Sequence, residues 1–199
     1  QPFSAAGKGA GFADERHPFL KDGHDMLQVP LNKAYIKRTI RPLYGPTQST
    51  PKSCFLDPAW DRSVDIYPGM VMMRKGGDLV TLADGTGYPM GLSALFIGGD
   101  GIDEVLDAGV NATAVWVLGP DAEFEVLAPA FDDSLTWTDP SNGTAVLVHY
   151  WATGDDRGRL APASSTKSGH TLSSRPVGRL LKVASTKKIV VGGLVGTTA

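Results

Sequence analysis

A mainly β fold is predicted for these 199 residues by three observations. Short apolar runs recur along the chain, several of them alternating with polar residues, as half-buried strands require. The 24 Gly and 14 Pro residues cluster between those runs, where turns need them. Only one window, "DGIDEVLDAG" at 100–109, carries the acidic N-cap, first-turn acid and closing Gly of a helix. The expectation is about ten short strands and one short helix.

The segment "QPFSAAGKGAGFADERHPFLKDGHD", residues 1–25, has neither helical nor strand period. Its apolar content is too sparse to offset its chain entropy, so it reads as an extended arm, disordered alone and ordered only against partners. Phe3, Phe12, Phe19 and Leu20 are its candidate partner contacts. From Met26 the pattern becomes regular. "YIKRTI" (35–40) alternates, with Ile36 and Ile40 set against Lys37 and Thr39. "MVMMR" and "DLVTLA" flank Lys75-Gly76-Gly77, a hairpin in which Gly77 is expected at positive φ.

"PMGLSALFIGG", "ATAVWVL", "AEFEVLAP", "SLTWT", "TAVLVHYWA", "RLLKVAS" and "KKIVVGGL" continue the series. Within "AEFEVLAP", Phe124 and Val126 should face inward and Glu123 and Glu125 outward. "AVLVHYWA" is apolar on both faces apart from His149, which predicts an interior strand. "YPMGLSALF" and "RPVGRLLKV" share Pro-x-Gly before an apolar strand, and each precedes a later closing strand, "EFEVLAP" and "KKIVVGGL". Coincidence and duplication account for that echo equally well.

Composition excludes several classes. A net charge of -2 offers no basic excess for nucleic acid, and Lys37-Arg38 with Arg41, and Lys182 with Lys187-Lys188, are too short for a phosphate footprint. No apolar run reaches membrane-spanning length, and the first residues lack the apolar core of a signal peptide. The single Cys54 precludes an intramolecular disulfide and reads as a small core residue. Asn111 and Asn142 sit in glycosylation-type triplets that read as turns.

Catalytic motifs fail on context. Ser164-Ser-Thr-Lys167 has the spacing of a serine beside a lysine base, but that geometry needs a helix, and this one lies in a Ser- and Gly-rich loop. "GLSAL" around Ser93 lacks the last Gly of a nucleophile elbow, and "GKGAG" (7–11) lacks a phosphate loop's trailing Lys. His17, His24, His149 and His170 are scattered and no Cys joins them, so neither metal nor cofactor is expected. Asp132-Asp133 and Asp155-Asp156 are adjacent carboxylates, which point to opposite faces of a strand and make no acid/base pair by themselves. The acidic "GGDGIDE" lacks the ligand spacing of a helix-loop calcium site. The expectation is a protein that is not an enzyme.

The order of motifs across 64–128 carries a resemblance. "DIYPGMVMM", a Gly turn, "DLVTLADGTG", "YPMGLSALF" and then "AVWVLGPDAEFEV" resemble the head decoration (cement) proteins of tailed bacteriophages, of the lambda D type. The resemblance implies a β-tulip-like domain that assembles as a homotrimer on the capsid exterior of the virion, after synthesis in the host cytoplasm. Its implied partner is the major capsid protein, whose subunits it would bridge and stabilise, with no nucleic acid and no membrane involved.

Members are shorter, so the expected division is an arm at 1–25, a decoration domain at 26–131 and an additional β segment, or second repeat, at 132–199. Met70, Met72 and Met73 could supply an adaptable contact surface, although core filling is expected for at least two of them. The competing reading is a carbohydrate- or receptor-binding β module of a phage fibre or adhesin, stacking sugars on Trp60, Trp116, Trp137 or Trp151.

Overall fold

The computed structural model describes residues 39–44, 51–98, 112–140 and 146–194. The expected arm, the helix at 100–109 and the start of "YIKRTI" lie outside these residues. Among the described residues eleven strands are present: β1 (Ile40–Tyr44), β2 (Pro51–Leu56), β3 (Val71–Gly76), β4 (Leu79–Leu82), β5 (Pro89–Ser93), β6 (Ala112–Trp116), β7 (Glu123–Leu127), β8 (Val146–Tyr150), β9 (Leu160–Pro162), β10 (Gly178–Ser185) and β11 (Lys188–Gly192). No helix occurs among the described residues, and the mainly β expectation holds.

Local sequence accounts for these strands. In β7, Phe124 and Val126 are buried while Glu123 and Glu125 lie on the wetter face, as the alternation demands. β3 and β4 form the Gly-turn hairpin, and Gly77 has φ +55°, which a residue without Cβ adopts freely. β8 lies between β10 and β9, the interior position expected from its apolar content. "SLTWT" forms a turn followed by irregular chain in place of the expected strand. Asp132 explains this: its carboxylate accepts from the Ser134 amide at 3.1 Å and so favours a turn over a ladder. Thr39, expected on the polar face, is buried and donates its hydroxyl proton to the Pro68 carbonyl.

Two sheets result. β2-β4-β3-β5-β6 close into a barrel, antiparallel except for the β2–β4 pair. The second is a six-stranded antiparallel sheet, β1-β7-β11-β10-β8-β9. One continuous core spans both, from Leu56, Met72 and Val115 to Phe124, Val148 and Val191. Met70, Met72 and Met73 are all buried in it, so none supplies contact surface. Across the junction, the Val71 amide donates to the Gly158 carbonyl at 2.8 Å, and the rings of Trp116 and Phe124 meet at 5.5 Å. A shared core and main-chain bonds of this kind make the two sheets one packing unit.

Candidate functional site

Among the described residues, a dense polar cluster lies beside the second sheet, built from residues far apart in the sequence. Asp132 follows β7, Trp151 follows β8, Asp156 sits in the β8–β9 connection, and Lys167 and His170 sit in the β9–β10 connection. Lys167 Nζ donates to Asp132 Oδ2 at 2.8 Å and to Asp156 Oδ2. Asp132 also accepts from the indole Nε1 of buried Trp151 at 2.9 Å and from the Ser134 hydroxyl. Arg159 holds the other oxygen of Asp156 at 2.6 Å, and His170 Nε2 lies 3.3 Å from Asp156 Oδ2. Sequence distance hid this group, because thirty-five positions separate Lys167 from Asp132.

The electrostatics are those of a clamp. Burial disfavours the Asp132 carboxylate, yet the Lys167, Ser134 and Trp151 hydrogen bonds outweigh it and bring its pKa from 3.8 to about 2. Burial likewise opposes the charged Lys167, and its bonds to Asp132 and Asp156 overcome that and hold its pKa above the ordinary value. A lysine that serves as a general base needs the opposite shift, toward neutrality at working pH. Ser164 lies in an irregular, exposed segment at φ +65°. The Ser164/Lys167 pair therefore lacks both the helix and the neutral amine that nucleophilic chemistry requires.

Other candidates are absorbed by the fold. Ser93 ends β5, is fully buried and donates its hydroxyl proton to the Leu95 carbonyl at 2.7 Å. Cys54 is buried, and that burial pushes its thiol pKa up, away from a reactive thiolate. His149 Nδ1 lies 2.8 Å from the Ser173 carbonyl. Among the described residues no three His, Cys, Asp or Glu side chains converge to hold a metal ion. His17, His24, the "GKGAG" stretch, Asn111 and Asn142 lie outside the described residues, as do Phe3, Phe12, Phe19 and Leu20.

The four Trp residues do not form a stacking platform. Trp60 and Trp151 are buried. Trp116 and Trp137 are half-buried against Phe124 and Phe131, and Trp137 Nε1 also donates to the Asp132 carbonyl at 2.9 Å. Of the basic runs, Arg41 of edge strand β1 meets Glu125 of β7 at 3.6 Å and Lys188 of interior strand β11 meets it at 3.3 Å, while Lys37 and Arg38 lie outside the described residues. Exposed apolar area concentrates elsewhere. Phe55 of β2 and Leu79 of β4 are directly paired neighbours, 53% and 37% exposed. Tyr88 is 73% exposed, with the Arg175 guanidinium 3.6 Å above its ring.

The family model described as phage cement protein matches residues 26–195. No curated protein and no solved structure matches the chain.

Proposed function

Because the chain belongs to the phage cement protein family, a structural and capsid-associated family, we propose that it binds the outer surface of the phage head. There it bridges neighbouring major capsid protein subunits and so stabilises the shell. The observation that carries this reading is the extent of the family match, which takes in both sheets. The architecture suits the task. A shared core and closed ladders give a stiff body, and stiffness limits the entropy lost when a protein is fixed between partners. The protein works at the virion surface as a homotrimer, in which three such bodies spread the load over several capsid subunits.

In this reading the arm at 1–25 is the tether, with Phe3, Phe12, Phe19 and Leu20 as anchors and main-chain bonds to a neighbour's sheet edge. The family match begins at residue 26, next to the last residue of this arm. The test compares full-length protein with a variant lacking residues 1–25 for binding to purified undecorated heads. The truncated form should keep its melting temperature within about two degrees while its head binding falls at least about tenfold. Equal binding by both forms would remove the arm from the mechanism, and failure of the full-length protein to bind heads would end the capsid reading.

A further inference from the structure

We infer that the chain contains one five-stranded unit twice, at residues 51–116 and 123–192, joined about a local two-fold axis. The strand order is the first observation. Starting from β2, the barrel runs β2-β6-β5-β3-β4, and starting from β7, the second sheet runs β7-β11-β10-β8-β9. The same sequence-order positions occupy the same sheet positions, and β1 alone stands outside the scheme.

Register makes the match specific. Met72 lies opposite Leu82 and Gly91, and Val148 lies opposite Pro162 and Gly178. From those glycines the next residues, Leu92 and Arg179, lie opposite Trp116 and Gly192. Those partners in turn lie opposite Pro51 and Glu123, and further along Cys54 faces Thr113 as Val126 faces Ile189. Four ladders are thus traversed without a slip at these positions. A one-residue error would have reversed which side chains face the core. Instead the equivalent pairs Cys54/Val126, Met72/Val148 and Val115/Val191 are all buried.

The closing step is repeated as well. Leu56 and Val80 pair in parallel, and so do Phe131 and Leu160 through a single bridge. The Asp57 amide donates to the Val80 carbonyl at 2.8 Å, and the Asp132 amide donates to the Leu160 carbonyl at 2.9 Å. Each Asp then receives the amide two residues on, Ala59 at 3.0 Å and Ser134 at 3.1 Å. Ala128, Pro129 and Ala130 are the extra residues that the second unit inserts before this step. The Pro-x-Gly echo has the same origin. A Cβ on Gly91 would lie 2.0 Å from the Trp116 carbonyl oxygen, and one on Gly178 would lie 2.6 Å from that of Gly192, its equivalent.

The two-fold follows from contacts between equivalent residues. Tyr88 and Arg175 each precede their glycine by three positions, and they stack on one another. One groove is lined by Pro89, Met90 and Leu118 together with their counterparts Pro176, Val177 and Leu194. Equivalent residues meet in this way where an isologous interface crosses its axis. One chain is therefore a fused pair of barrels, divided at 117–122 and not near 131. Outward positions have diverged: the exposed pair Phe55 and Leu79 corresponds to Leu127 and Arg159. The pair presents two unlike faces on one repeated scaffold.

Residue-resolved amide hydrogen exchange on the full chain tests the second closure. The Asp57 and Asp132 amides should each exchange at least about a hundredfold more slowly than in an unfolded peptide. Free exchange at Asp132 beside protection at Asp57 would open the second unit and overturn the equivalence. A crystal structure tests the axis: residues 51–116 should superpose on 123–192 by close to a half-turn. A rotation far from a half-turn, or strands that fail to superpose, would overturn it.

Discussion

The two sheets share one closing step, and the second adds a charged clamp to it. In the first, β2 and β4 pair in parallel and the barrel shuts on main-chain hydrogen bonds, with a hairpin turn at Gly77-Asp78. In the second, the Phe131–Leu160 bridge joins the corresponding edges through the Asp132 amide and the Ala130 carbonyl, both bonded to Leu160, and the connections at 151–159 and 163–177 are long. There Lys167 ties Asp132, which follows β7, to Asp156 in the β8–β9 connection. A ladder is short-range and needs adjacent edges. A long, charged side chain can brace long connections, but it requires its carboxylates to remain ionised. Both sheets should thus be sensitive to backbone crowding, and the second to charge as well.

The largest effect should come from crowding. Gly91→Ala places a methyl where the β6 backbone already lies, and should cost about 3 kcal/mol or more, with Gly178→Ala costing about 2. Urea midpoints check both, and a neutral Gly91→Ala would mean that β5 and β6 are not so close. Removing charge comes next. Lys167→Met leaves Asp132 buried beside Asp156 without its cation and should cost about 2–3 kcal/mol, a figure reduced for the partial exposure of the lysine. The Met stem keeps most of the packing, so an unchanged midpoint would show that the clamp contributes little.

Acid should act on the same closure. The folded pKa of Asp132, about 2, lies below its ordinary 3.8. Its contribution is complete above pH ~4 and is lost as pH falls from there toward 2, by about 2 kcal/mol. Asp132→Asn should flatten stability over that window, and a variant with the wild-type pH profile would assign the acid sensitivity elsewhere. Lys167, with its pKa raised, contributes below its ordinary value of 10.5 and loses that contribution only as pH rises through the higher folded value.

Smaller effects test the turns. A Cβ at Gly77 would meet no atom within 4 Å, so the expected cost of Gly77→Val, about 1–2 kcal/mol, comes from its positive φ. Ser164→Ala keeps the same left-handed backbone and should shift the melting midpoint by no more than about half a kcal/mol equivalent. A serine-reactive probe that labels wild type but not this variant would contradict the structural reading of the loop.

Local pattern was enough to set the fold class. Period-two alternation and turn glycines are local signals, so the burial of Phe124 and Val126, the interior position of β8 and the φ of Gly77 followed from a few neighbouring residues. The order of Pro-Gly and Gly-turn motifs was enough to reach the cement family. Partner strands were not legible. "EFEVLAP" was expected to close the unit begun at Tyr88, yet β5 pairs with β6, while β7 joins β11 across more than sixty residues. Nor could adjacent carboxylates announce the clamp, because Asp132, Asp156 and Lys167 meet only after β7, β8 and β9 are in place. Local pattern fixes which residues can face a core. Which strands share an edge, and which charges then meet, is decided by non-local closure, whose entropic cost is recovered only when the whole sheet forms.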